Sequence, residues 1–129
     1  MVPKFRAWDK HVKKIRKVTE IHFDDSLIYL KANNGKGYYC SFSDIELMQS
    51  TGLLNCETED GKNVEGWEGD IADIGWSEQN GEFNSHRIIL KSPFDYSTDE
   101  ARWLIHAEYI IIRGNIYENT ELLEQADEN

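Results

Sequence analysis

Three turn signatures punctuate this chain: "NNGKG" at 33–37, Asp60-Gly61, and Asn80-Gly81. Asn-Gly and Asp-Gly accept the positive φ that tight hairpins demand, so each marks a reversal between strands. The flanking residues agree. "LIYLKA" (27–32) and "YYCSF" (38–42) bracket the first turn and predict a hairpin over 26–42. In "WEGDIADIGW" (67–76), Ala72, Ile74 and Trp76 alternate with Asp73 and Gly75, and "FNSHRIILK" (83–91) returns after Asn80-Gly81. Repeated short strands with such turns predict a mainly β chain, a small, strongly bent antiparallel barrel rather than a layered α/β fold.

The remaining segments fill in around these hairpins. Residues 4–8 read as a short extended segment, Asp9-Lys10 as a turn, and 14–23 as a strand. Ser43 and Glu46 have capping-box spacing, but Thr51-Gly52 stops the run, so a helical turn leading into a strand at about 46–50 is expected. Residues 55–66 read as a polar loop turning at Asp60-Gly61, a boundary between an N-terminal β layer (1–54) and a small barrel (64–129) within one compact unit. Ser97-x-x-Glu100 is a second capping box, opening a short helix with Ala101, Leu104 and Ile105 on its apolar face and Trp103 beside it. "YIIIRGNI" (109–116) is an uninterrupted β-branched run, expected as a central strand ending in a Gly114-Asn115 turn. Asn119 is expected to cap a last short helix anchored by Leu122 and Leu123, with a frayed acidic end.

Chemistry is harder to find. Walker-type, G-x-G-x-x-G, G-x-S-x-G and H-E-x-x-H patterns are all absent from the sequence. Cys40 and Cys56 form neither a metal motif nor a disulfide framework, and His11, His22, His86 and His106 stand apart, so no cofactor or metal is expected. Asp99, Glu100 and His106 are close enough in sequence for a relay, but helix capping accounts for them without catalysis. Asp70 and Asp73 bracket a strand start, where turn carboxylates more often accept backbone N–H bonds than bind cations. No catalytic residue is assigned, and no enzyme activity is expected.

Charge is the stronger signal. The net charge of −10 conceals an asymmetry. Residues 1–17 carry Lys4, Arg6, Lys10, Lys13, Lys14, Arg16 and Lys17 against Asp9 alone, a balance of +6, and the remainder carries −16. Those seven side chains are the candidate partner-binding residues. The acidic bulk opposes general duplex-DNA binding. No apolar run reaches the roughly 18–20 residues of a membrane span, and the start lacks a signal peptide's apolar stretch, so a cytoplasmic location is expected.

Four blocks in order carry a family likeness: "KFRAWDK" (4–10), "ELMQSTGL" (46–53), "DGKNVEGWEGDIADI" (60–74) and "RGNIYENTELL" (113–123). The chain resembles the YopX family of phage and prophage proteins over nearly its whole length. The shared positions are Trp8, Asp9, Gln49, Gly52, Glu68, Gly69, Asp70, Gly114, Asn115, Tyr117, Glu118 and Asn119, read as structural. The chain departs from the family pattern in the longer loop after Leu53, in Gly66-Trp67, and in Thr120 where the family has Pro. The resemblance implies an SH3-like small β-barrel with additional β structure and short helices. It implies a phage setting and brings no agreed activity, cofactor or catalytic residue. The expectation is a non-enzymatic protein-binding or assembly module, acting as a homo-oligomer or on a phage or host protein. The alternatives are nucleic-acid binding through the basic segment, or an acidic body that mimics nucleic acid towards a host protein.

Overall fold

The computed structural model describes residues 4–123 and divides into two compact units, residues 1–50 and 51–129. The first is one antiparallel sheet of five strands: β1 (Phe5–Asp9), β2 (Lys14–His22), β3 (Leu27–Lys31), β4 (Gly37–Ser41) and β5 (Ile45–Gln49). They stand in the order β4-β3-β2-β1-β5. The β3–β4 hairpin pairs Tyr29 with Tyr39 and Lys31 with Gly37, with Gly35 at φ +85° in its turn. This is the reversal that Asn-Gly chemistry predicts. One face buries Ala7, Ile28, Leu30 and Ile45, with Val18, Ile21, Tyr38 and Phe42 packed around them. Each such aliphatic side chain contributes about 1.5–3 kcal/mol when fully withdrawn from water.

A 3-10 turn at Phe42–Asp44 precedes β5. Its cap is Ser41, whose hydroxyl accepts from the Ser43 amide, and Glu46 lies in β5 paired with Lys10. The helical turn leading into a strand at about 46–50 is therefore what forms, and the Ser43–Glu46 spacing makes no capping box. The chain enters a strand at residue 45, which carries Glu46 away from any helix terminus.

The second unit holds β6 (Cys56–Glu57), β7 (Asn63–Val64), β8 (Asp70–Ser77), β9 (Phe83–Ile89), helix α1 (Thr98–His106) and β10 (Tyr109–Asn115). Its strand order is β7-β6-β10-β8-β9. The β-branched run does lie inside the sheet, antiparallel to β8 and parallel to β6. Residues 55–66 are not simply a loop: β6 and β7 form a miniature hairpin around Gly61, at φ +85°. The division between units falls earlier, after Ser50. Ala72, Ile74, Ile88, Leu90, Ile110 and Cys56 form the core, against which Tyr96, Trp103 and Leu104 of the α1 region pack. Helix α1 has its capping box, with reciprocal bonds between Ser97 and Glu100. Leu104 and the neighbouring Trp103 pack on the core as expected, whereas Ile105, expected on the same face, is 80% exposed.

The mainly β expectation holds, with an N-terminal β layer and short helices. Among the described residues both strand orders are open-ended, so no closed barrel forms. No helix of the described residues is long and apolar enough to cross a membrane.

Candidate functional site

The third and fourth family-like blocks, 60–74 and 113–123, meet at one end of the second sheet. Asp70 and Asn115 are register partners across β8 and β10, and both are buried. Asp70 closes its own turn: its Oδ2 accepts from the Trp67 amide at 2.9 Å, and its amide donates to the Trp67 carbonyl at 3.0 Å. Gly69, at φ +88°, makes this turn possible without a Cβ penalty. Its amide donates to the Leu90 carbonyl and its carbonyl accepts from the Ile116 amide, both at 2.9 Å, so Glu68-Gly69-Asp70 is stitched to the residue after β9 and to the exit of β10.

Asn115 organises the other side. Its Oδ1 accepts from the Tyr117 and Glu118 amides at 3.0 and 2.9 Å, and its Nδ2 donates to Glu118 Oε1 at 2.9 Å. Asn119 Oδ1 accepts from the Asn115 amide, and the Asn119 side chain lies over Gly114, where any Cβ would collide with it. Gly114 and Asn115 are thus not the expected turn. They belong to β10, opposite Ile71 and Asp70, after a bulge between Ile112 and Gly114. Asn119 spends its side-chain oxygen on β10 rather than as the expected helix cap. The helical turn at 121–123 begins where expected, and the acidic end beyond it lies outside the described residues. This polar knot ties the strand exit to the turn before β8, and it consumes the Asn115, Glu118 and Asn119 groups that sequence alone left open.

A second cluster lies on the opposite face of β8. Asp73 accepts from Arg87 Nε at 2.7 Å and Nη2 at 2.9 Å, and from Arg113 Nε at 2.9 Å. Burial raises the Asp73 carboxyl, but the two guanidinium groups outweigh it and hold it below the usual carboxylate range. Arg113 also pairs with Glu59 at 2.8 Å, and Arg87 Nη1 donates to the Leu122 carbonyl at 3.4 Å. Asp73 therefore braces the sheet and the closing segment. Because side chains alternate along β8, Asp70 and Asp73 point to opposite faces and do not share a cation site.

In the first unit Asp9 is the buried carboxylate. It accepts from the Tyr38 hydroxyl at 2.6 Å and from the His11 and Val12 amides at 2.9 and 3.3 Å. Burial pushes it up, but Tyr38 and those amides prevail and hold it low. Arg16 Nε reaches the Tyr38 hydroxyl at 3.4 Å. The Asp9 of the "FRAWD" block thus shapes the β1–β2 turn. Trp8 stands opposite Ile15 and Glu46, and Gln49 opposite Phe5. Gly52 adopts φ +80° just after Ser50.

The helix carboxylates are similarly engaged. Glu100 accepts from Ser97 and from Lys91 Nζ at 3.1 Å, while Asp99 pairs with Arg102. Burial raises Glu100, yet Ser97 and Lys91 hold it below its ordinary value. His106 sits in the last turn of α1, so Asp99, Glu100 and His106 serve the helix ends and form no relay. No group of three metal-ligating side chains occurs among the described residues.

The seven basic candidates do not form one patch. Antiparallel register puts Arg6 and Lys17 on one face of the first sheet and Arg16 and Lys14 on the other. Lys10 pairs with Glu46, and Lys13 occupies the β1–β2 turn at φ +56°. Lys4 precedes β1, its carbonyl accepting from the Ser50 amide. Lys31, which sequence reasoning passed over, stands directly beside Lys17. Charge does follow the units: residues 1–50 hold nine Lys/Arg against six Asp/Glu, or +3, and residues 51–129 hold five against eighteen, or −13.

No curated protein and no solved structure matches the chain. A family model does match, described as YopX protein and covering residues 4–124, so the blocks gathered in these networks lie within it. The chain belongs to the YopX family.

Proposed function

We propose that this protein is a binding and assembly module that joins copies of itself, in a phage or prophage setting and in the cytoplasm. The observation carrying this reading is strand β9. It pairs only with β8 among the described residues, and its other edge offers backbone groups to a further strand. Phe83 at its start is 56% exposed and stacks on Tyr109 at 5.8 Å, a ready apolar anchor beside that edge. Tyr109 lies over Gly75, its cross-strand partner, where the missing side chain leaves room for the ring. The opposite charges of the two units supply complementary surfaces between copies. The carboxylates that catalysis would need are instead hydrogen-bonded into turns, caps and the arginine brace. An SH3-like relationship of the second unit belongs to the same reading, supported by its antiparallel β9-β8-β10 core and the bulge in β10.

Size-exclusion chromatography with light scattering tests it. A discrete oligomer is expected at low salt, weakening as salt rises, and Phe83→Ser shifts it towards monomer. A monomer that persists at high concentration and low salt would sink the proposal.

A further inference from the structure

The face of the first sheet opposite its apolar core has a composition the function above does not use. Antiparallel pairing sets Lys17 beside Lys31, with Arg6 on the other side of Lys17, so one row across β1, β2 and β3 is entirely basic. Two residues along β3, on the same face, Tyr29 meets Tyr39 edge-to-face at 4.8 Å, and His22 lies 6.0 Å from Tyr39. Tyr39 is 56% exposed. Gly37, the register partner of Lys31, carries no side chain, and the Tyr29 ring occupies the space where a Cβ would stand. Tyr29 is thereby laid along the sheet rather than upright from it. The result is an aromatic cluster on β2, β3 and β4 next to a row of cations, with Glu20 as the acidic side chain opposite Tyr29.

We propose that this face binds single-stranded nucleic acid, with unstacked bases on Tyr39 and His22 and the backbone along Lys17 and Lys31. The chemistry selects that occupant. Phosphates are attracted by in-register lysines, which otherwise repel one another across the strands. Exposed rings recognise bases only where these are unstacked, which a duplex does not offer. The face of a five-stranded sheet also presents no helix or two-stranded ribbon to enter a major groove. The surrounding unit is net basic although the chain is acidic, so binding is local and steeply salt-dependent.

The test uses the whole chain and a fluorescein-labelled oligothymidine of about 15 nucleotides, followed by anisotropy at several salt concentrations. Binding at low ionic strength is expected. Lys17→Ala with Lys31→Ala weakens it and lowers the salt slope by about 1.4. Tyr39→Ala weakens it by at least about fivefold, and Tyr39→Phe restores it. Lys62→Ala, in the second unit and beside Asp60, serves as the control. Circular dichroism confirms that each variant is folded. The proposal is overturned by absence of binding at low salt, by equal affinity for a duplex of the same sequence, by lysine variants that bind like the parent, or by displacement with polyglutamate as effective as with unlabelled oligothymidine.

Discussion

Tyr38→Phe removes a single hydroxyl, and its effect reads out the state of Asp9. A hydrogen bond to a charged group contributes about 1.5–3 kcal/mol, so a loss of that size is expected in urea unfolding at neutral pH. Asp9 is held low in the folded chain, so its contribution is present above the unfolded value and lost as pH falls through the folded one. The difference between the variant and the parent should therefore shrink on acidification below the ordinary value of 3.8. A gap that widened instead would refute this account. Cys56 behaves oppositely. Burial, with Asp70 nearby, pushes its thiol up to about 11. A thiol-selective reagent at mildly alkaline pH should label it slowly in the folded chain and rapidly after denaturation. Asn115 was legible in sequence as a polar residue near a turn. That it accepts two amides and donates to Glu118 was not, because this depends on a strand continuing through Gly114.

At the scale of elements, helix α1 rests on its cap and on its packing. Ser97→Ala should cost about 1 kcal/mol of stability in chemical denaturation, since it leaves the Glu100 amide without its acceptor. The helix is also seated by a stack in which Trp103 lies 3.8 Å from His86 and His86 lies 5.5 Å from Trp76. The capping box was readable from four residues, because capping is a local bond. The packing face was readable only in part, for Leu104 and Trp103 but not for Ile105. Ile105 fits the helical period as well as Trp103 does, and only the position of β9 beneath the helix brings His86 to Trp103. In the sheet, Asp73→Ala strips both Arg87 and Arg113 of their shared carboxylate. All three side chains are half-buried, so the cost lies between that of a surface pair and the roughly 3–5 kcal/mol of a buried one, about 2 kcal/mol. A melting temperature within error of the parent would show that the brace carries no stability.

For the whole molecule, acidification acts on several groups in one direction. Asp9, Asp73 and Glu100 are all held below their ordinary values of 3.8, 3.8 and 4.5. Each contributes stability that is complete above those values and declines as pH falls beneath them. Thermal melts should thus change little between neutral pH and the mildly acidic range, then drop steeply below about pH 4.5. A steady decline beginning near neutrality would point to other groups. The charge asymmetry also belongs to this scale. Its sign along the chain was countable from the first residues, but its division into a +3 and a −13 unit needed the boundary after Ser50.

The sequence by itself determined the Gly-centred hairpin reversals, most of the longer strands, that the fold is mainly β, and which family it belongs to. Those properties rest on short-range chemistry: a Gly that accepts positive φ, a Ser three residues before a Glu, a β-branched run. Tertiary structure alone decided which strands are neighbours, and hence which polar groups meet. Asp73 finds Arg87 and Arg113 at separations of 14 and 40 residues, and Asp9 finds Tyr38 across 29. Parallel pairing of β6 with β10 has no local signature at all. Register in a sheet is set by burying one face of every strand at once, and no single segment contains that condition.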